Sequence, residues 1–99
     1  MTAEEVIAFL EEHSRKEYLK FDRVEDPISK RPDLHGFYLL DKIVPGDSDI
    51  VSGAEHDVAF VDVSAEALAE ANVTEAQLID LLRCGVSYSD EYDCLIIHA

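Results

Sequence analysis

The first apolar residues of the chain recur at helical spacing. Val6 and Leu10 stand one helical turn apart within residues 3–13, and the polar residues around them suit the exposed side of an amphipathic helix. Thr2 and Glu5 have the spacing of a capping box, in which each side chain accepts a hydrogen bond from the other residue's backbone N–H. The pattern therefore predicts a helix over residues 3–13.

The clearest helical pattern is VTEAQLIDLLRCG, residues 73–85. Thr74 and Gln77 form a second capping box, and Gly85 is the kind of residue that ends a helix in a left-handed conformation. Arg83 suits the negative end of the helix dipole. The predicted buried stripe consists of Leu78, Leu81 and Leu82.

A strand and a short helix are predicted just before this segment. DVAFVDV, residues 57–63, is apolar on both alternating faces apart from its aspartates, which suits an interior strand. Ser64 can cap a short helix in AEALAEA, residues 65–71. Asn72 is expected to end that helix in the left-handed conformation.

Other strands are predicted from alternating, aromatic or branched residues. GFYLLDKIV, residues 36–44, reads as a strand stopped by PGDSD, and DIV, residues 49–51, as a short strand or the second arm of a hairpin across PGDS. Gly53 would then permit a bulge or bend. The segment 86–98 is typical of a terminal hairpin turning around Ser89–Glu91.

These elements define the predicted fold. Leu19 and Phe21 alternate with polar residues, so they indicate one more short strand or a continuation of the first helix. No linker or repeat divides residues 1–99. The prediction is a single small α+β domain with an antiparallel or mixed sheet of four to five strands packed against two or three helices.

Charge sets this chain apart from an ordinary small domain. It has 22 Asp and Glu against 8 Lys and Arg, a net charge of −14. Residues 1–46 hold ten acids and seven bases, whereas residues 47–99 hold twelve acids and Arg83 as the single base. Such a surface repels nucleic acid and anionic membranes, since both are polyanions. We therefore expect neither direct nucleic-acid binding nor membrane binding.

The expected location is the cytoplasm. The first apolar patch is short and flanked by glutamates, unlike a secretory signal with its basic start and longer apolar run. No stretch approaches the ~20 apolar residues of a membrane span. Two cysteines do not make a disulfide framework, so free thiols in a reducing compartment are expected.

No catalytic, metal or cofactor motif is present in the sequence. The four histidines are scattered, and Cys94 and His98 would lie ~13 Å apart along a strand. Cys84 is placed near the negative end of a helix, which would raise the pKa of its thiol. Carboxylates are too numerous for any pair to stand out as an acid and a base. We therefore predict a protein that is not an enzyme and holds no metal or cofactor.

The hypothesis that fits these observations is a small acidic interaction protein that binds a basic groove of a nucleic-acid-handling protein and inhibits or sequesters it. Size and charge alone give an analogy with the DNA-mimic, anti-restriction and anti-CRISPR inhibitors of phages. The two tyrosines among the binding residues are equally explained by cross-strand packing. The predicted partner-binding residues are Glu55, Asp57, Asp62, Glu66, Glu70, Tyr88, Asp90, Glu91, Tyr92 and Asp93.

Two alternatives stay open at this point. The acidity would carry no information about a partner if the chain were a structural or subunit domain adapted to a salt-rich cytoplasm, although seven bases in residues 1–46 count against a uniform bias. The chain could also be a small enzyme or ligand-binding domain with an unrecognised pocket. The interaction hypothesis requires that the acids of residues 47–99 gather in one outward-facing patch, free of bases from the first half.

Overall fold

The computed structural model describes residues 1–98 and shows an α+β fold. Within this range there are four α-helices and four strands, so the strand count is as predicted and the helix count is one higher. A 3₁₀ turn spans Phe21–Arg23. The elements are α1 (Ala3–Glu17), α2 (Pro32–Ile43), β1 (Val51–Glu55), β2 (Val58–Val61), α3 (Ala65–Glu70), α4 (Glu75–Arg83), β3 (Val86–Ser89) and β4 (Cys94–His98).

The strands form one sheet in the order β1-β2-β4-β3, with every neighbouring pair antiparallel. The predicted interior strand is confirmed, because β2 lies between β1 and β4. The terminal hairpin is also confirmed, but its turn is shifted. Ser89 pairs with Cys94, so the turn consists of residues 90–93 and not of Ser89–Glu91.

One face of the sheet packs against the helices. The antiparallel register places Val86 of β3 beside Ile97 of β4 and Tyr88 beside Leu95, and paired residues point to the same face. The buried core joins this face to residues from all four helices. Its members are Val6, Leu10, Leu40, Val61, Val63, Ala65, Leu68, Val73, Leu78, Leu81, Leu82, Val86, Leu95 and Ile97.

The capping signals in the sequence are confirmed. Thr2 and Glu5 cap α1 reciprocally, and Thr74 and Gln77 do the same for α4. Ser64 caps α3 by accepting from the backbone N–H of Ala67 at 3.0 Å. The two expected left-handed helix ends are present as well, since Asn72 has a φ of 57° and Gly85 a φ of 92°. These caps depend on residues three or four apart, which is why the sequence shows them.

Residues 36–44 do not form the predicted strand, because they belong to α2. Pro32 occupies the first turn, where its missing N–H costs nothing, and Gly36 and Leu40 lie buried one helical turn apart. A Cβ on Gly36 would lie 3.1 Å from the Cβ of Cys84. Gly36 therefore lets α2 approach the end of α4 closely, and the aromatic and branched residues around it pack as a helix face.

Two neighbouring predictions change with α2. The hairpin across PGDS is absent from the described chain, since β1 pairs instead with β2 through a two-residue turn at His56 and Asp57. The bulge expected at Gly53 is confirmed by the register shift between Val51 and Gly53. The strand considered at residues 19–21 is not formed. Leu19 leaves α1 with a left-handed φ of 59° and leads into the 3₁₀ turn.

Candidate functional site

A cleft lies where β2 ends and β4 begins. It has a volume of about 290 Å³ and a mixed lining of polar and apolar side chains, which includes the carboxylates of Asp62, Glu66 and Asp93. Asp62 follows β2 directly, Glu66 lies in the first turn of α3, and Asp93 precedes β4. We call this the acidic cleft. Its lining residues are Ile7, Ser52, Val61, Asp62, Val63, Ser64, Ala65, Glu66, Tyr88, Asp93 and Cys94.

The hydroxyl of Tyr88 is held at one side of the acidic cleft. It donates a hydrogen bond to Oδ1 of Asp93, a residue whose φ of 52° is one that aspartate tolerates. This hydrogen bond, together with burial and the negative charges of Asp93, Asp90 and Glu11, raises the pKa of Tyr88 to about 12. Tyr88 therefore stays neutral at physiological pH, and the negative charge remains on the carboxylates.

Glu11 extends the acidic surface onto α1. Its carboxyl group meets that of Asp90 in the β3–β4 turn, and this contact raises the pKa of Glu11, with burial and the charge of Asp90 acting in the same direction. Two carboxylates that approach each other without a cation repel, so the protonated form of one is favoured. A positive group placed between the two carboxylates would remove this repulsion.

A second depression opens on the outer face of the sheet. The register that pairs Phe60 with Ile96 puts Phe60 on the face away from the helical core, and Tyr92 of the β3–β4 turn packs against it with ring centroids 4.9 Å apart. The depression measures about 310 Å³ and is lined by Ser52, Glu55, Phe60, Tyr92 and Cys94. Ser52 and Cys94 also line the acidic cleft, so the two concave surfaces adjoin.

Most of the predicted partner-binding residues come together on this combined surface. Asp62, Glu66, Tyr88 and Asp93 line the acidic cleft, and Glu55 and Tyr92 line the outer depression. Asp90 lines neither surface but is close enough to Glu11 and Tyr88 to raise their pKa values, and Glu91 is close enough to Tyr92 to raise its pKa.

Two more predicted residues line neither concave surface. Asp57 lies in the exposed turn between β1 and β2, and Glu70 is the exposed last residue of α3, one turn beyond Glu66. The structure therefore brings only part of the predicted set together, and Asp57 and Glu70 lie outside both concave surfaces.

Within the described part of the chain, arginines neutralise two acids outside the candidate surface, Glu17 and Asp80. Glu17 pairs with Arg23 at 3.2 Å and with Arg83 at 3.0 Å, and Arg83 also reaches Asp80 at 3.4 Å. Among residues 1–98, no predicted binding acid is paired with a lysine or arginine; Glu55 lies 3.7 Å from Nε2 of His56, a contact that is ionic only when the histidine is protonated.

The average charge density is far below that of a nucleic acid. Dividing 6171 Å² of accessible surface by 14 net charges gives about 440 Å² per charge. Duplex DNA carries roughly one charge per 100 Å². The surface as a whole is thus about fourfold too dilute to resemble DNA, so any such resemblance has to come from the acids around the two concave surfaces.

The two thiols are poor nucleophiles in this structure. Both cysteines lie in the described chain and are free. Burial and the charge of Asp80 raise the pKa of Cys84 to about 12, and burial and Asp93 raise that of Cys94. The direction predicted for Cys84 is confirmed, but its causes are burial and the charge of Asp80, whereas the prediction rested on the helix dipole. Over residues 1–98, no group of three or more His, Cys, Asp or Glu side chains is arranged to hold a metal ion.

Sequence reasoning missed two residues of the surface. Glu11 belongs to the first half of the chain and meets Asp90 only through the packing of α1 beside the hairpin, which no local pattern reveals. Phe60 could have been found from the sequence. A strand with apolar residues on both faces, covered by helices on one face, presents the apolar residues of its other face away from the helices.

Comparison with protein-family models, with curated proteins and with solved structures finds no match to this chain. None of the helices in the described residues is long and apolar enough to span a bilayer.

Proposed function

We propose that this chain is a non-enzymatic interaction protein of the cytoplasm, which binds a basic groove of a nucleic-acid-handling protein and thereby inhibits or sequesters it. The observation that carries the proposal is the set of carboxylates around the acidic cleft, which have no lysine or arginine partner within residues 1–98. The two free thiols suit a reducing compartment.

The contact between Glu11 and Asp90 supports a cationic partner. The raised pKa of Glu11 is caused first by its hydrogen bond to Asp90 and then by burial and the negative charge of Asp90, so the two carboxylates repel when both are ionised. An arginine or lysine of a partner, placed between the two carboxylates, would replace this repulsion with attraction. Binding would then be strengthened by groups that are mutually unfavourable in the free protein.

A basic groove that normally holds nucleic acid has the complementary chemistry. Its lysines and arginines are spaced to meet phosphates, and the rim of the acidic cleft offers the carboxylates of Asp62, Glu66 and Asp93 within one concave surface. Complementary fields accelerate docking and make it sensitive to salt. Occupation of such a groove would exclude the nucleic acid, so inhibition would be competitive.

Affinity capture tests this proposal. The chain is immobilised, a lysate is applied in dilute salt, and bound proteins are eluted with a salt gradient and identified. We expect basic nucleic-acid-binding proteins that elute at moderate salt. A captured protein is then titrated with a duplex oligonucleotide, with and without the free chain, and the chain should weaken its binding to DNA.

A charge-matched pair of variants makes the test specific. The first removes the rim charges without altering side-chain shape, and asparagine tolerates the left-handed backbone at position 93. It combines Asp62→Asn, Glu66→Gln and Asp93→Asn. The control removes the same charge from exposed acids elsewhere. It combines Glu12→Gln, Glu25→Gln and Asp41→Asn.

The rim variant should lose capture, and the control should keep it. Equal capture by the two variants would show that only total charge matters and would contradict a specific surface. Unfolding of the unmodified chain in dilute buffer, measured by circular dichroism, would instead favour a domain adapted to high salt.

A further inference from the structure

The outer face of the sheet carries a pair of aromatic rings that the core does not use. Phe60 of β2 and Tyr92 of the β3–β4 turn are both half-buried, and their ring planes meet at 54° with centroids 4.9 Å apart. The backbone N–H of Tyr92 donates to Oγ of Ser89 at 3.2 Å, which fixes the turn beneath the ring. We call these two rings the aromatic platform.

Carboxylates flank the aromatic platform. Glu55, the last residue of β1, lines the same depression, and Glu91 precedes Tyr92 in the turn. Burial raises the pKa of Tyr92, and the charges of Glu55 and Glu91 raise it further. Tyr92 is therefore a neutral ring in a negative field, with Glu55 exposed to solvent.

Three kinds of occupant can be compared on chemical grounds. A second copy of this chain would bring another net charge of −14 and would be repelled. An apolar side chain would bury the rings but leave the flanking carboxylates unused. A cationic side chain satisfies both features, since cations are attracted to the faces of aromatic rings and to carboxylates.

Arginine matches this arrangement better than lysine. Its guanidinium is planar, so it can stack on a ring while its N–H groups point outward in the plane toward carboxylates. The lysine ammonium is a compact and strongly hydrated charge that loses more hydration in an aromatic depression. We propose that the aromatic platform, with Glu55 and Glu91, is a recognition site for an arginine side chain of the basic partner.

This inference rests on the proposed function, and it makes that function more specific. The acidic cleft would attract any basic surface through charge, whereas the aromatic platform would select arginine over lysine. Because Ser52 and Cys94 line both concave surfaces, one basic segment can reach the cleft and the platform together.

Peptide titrations separate the two ideas. The probes are a short peptide of alternating arginine and glycine and its lysine counterpart, which have equal length and charge. Each is titrated in dilute salt into the isotopically labelled full chain, and binding is followed by NMR through the ring protons of Phe60 and Tyr92. We expect the arginine peptide to shift these protons and to bind about 3- to 30-fold more tightly than the lysine peptide.

Three variants complete the experiment. Tyr92→Leu should abolish the preference for arginine while keeping the charge-driven binding of both peptides. The combination of Glu55→Gln and Glu91→Gln keeps the rings and should weaken the arginine peptide more than the combination of Asp41→Asn and Glu70→Gln, which removes the same charge from exposed acids outside both depressions. Backbone spectra of each variant report whether the fold is retained. If Tyr92→Leu perturbs the fold, the double glutamine variant replaces it as the test of the arginine site.

The outcomes distinguish failure of the platform from failure of the proposed function. Equal binding of the two peptides, unaffected by Tyr92→Leu, would overturn the arginine site and leave a charge-driven interaction intact. Arginine preference with shifts confined to residues away from Phe60 and Tyr92 would also overturn it. Absence of binding by either peptide in dilute salt would count against both the platform and the cationic partner.

Discussion

Two glutamates of the same helix meet opposite environments. Glu17, at the end of α1, accepts hydrogen bonds from Arg83 and Arg23, and these lower its pKa. Glu11, less than two turns earlier, faces Asp90, which raises its pKa. One residue type on one helix thus serves as an internal ion-pair partner at one position and as part of an unpaired negative surface at the other.

The difference shows where the fold uses charge for its own stability. Arg83 is the single base of residues 47–99. It forms its hydrogen bonds at the junction of α1, α4 and the 3₁₀ turn. Within residues 1–98, no lysine or arginine forms an ion pair with an acid of the acidic cleft or of the β3–β4 turn. Over the same described range only Glu17 and Asp80 have an arginine partner, so the fold uses ion pairing at this junction and leaves its other acids, those of the acidic cleft included, without a lysine or arginine partner.

The largest effect should come from breaking this junction with Arg83→Met. Nε of Arg83 donates to Glu17 at 3.0 Å, and its guanidinium also reaches the carbonyl of Arg23 at 3.2 Å. The side chain is 22% exposed, so loss of these charge-assisted hydrogen bonds should lower the free energy of unfolding by about 1–2 kcal/mol. Urea denaturation at neutral pH measures this loss.

Arg15→Met is the matched control, because Arg15 is an exposed base on α1. It removes the same charge and introduces the same side chain. We expect a change within about 0.5 kcal/mol. If both variants lost equal stability, the net charge and not the Arg83 contacts would be responsible, and the contrast between the two regions would have no structural basis.

A smaller effect is expected from Glu17→Gln, because Arg83 would keep its contacts with Asp80 and the Arg23 carbonyl. The pKa of Glu17 in the folded state is lowered from its ordinary value of 4.5. Its contribution to stability is therefore present above pH 4.5 and is lost as the pH falls through the folded-state pKa. The stability difference between wild type and variant, measured by urea denaturation across this range, should shrink in acid; a constant difference would contradict the prediction.

The contrast between these regions was only partly readable in the sequence. Capping boxes at Thr2 and Thr74 and the left-handed end at Gly85 depend on neighbouring residues and were predicted correctly. Residues 36–44 were wrongly predicted as a strand, because their aromatic and branched side chains favour strands locally. They belong to α2, which packs closely on the end of α4 through Gly36 and Cys84, and a tertiary contact of this kind leaves no local pattern in the sequence.

The candidate site divides in the same way. The absence of lysine and arginine between Lys42 and Arg83 was the reason for choosing acids of the second half, but the composition could not say which of them share a surface. That depends on the strand order, which brings β2 beside β4, and on the packing of α1, which brings Glu11 to Asp90. Neither relation leaves a periodic signal in the chain.

The smallest effect, of opposite sign, is expected from Glu11→Gln. Since the pKa of Glu11 is raised above 4.5 in the folded state, the folded protein holds this proton more tightly than the unfolded chain, and its stability falls as the pH rises through the folded-state pKa. Glutamine imitates the protonated form and can donate to Asp90. The variant should therefore be more stable than wild type at neutral pH and no more stable below pH 4.5.

Glu12→Gln, an exposed acid beside it on α1, controls for the change in net charge. Added salt should reduce the gain from Glu11→Gln, because these carboxylates are exposed and their repulsion is screened. Urea denaturation at low and high salt provides both measurements. Equal gains in the free energy of unfolding from Glu11→Gln and Glu12→Gln would mean that each variant only lowers the general repulsion of a negatively charged chain. A gain specific to Glu11→Gln would show that the contact between Glu11 and Asp90 destabilises the folded protein.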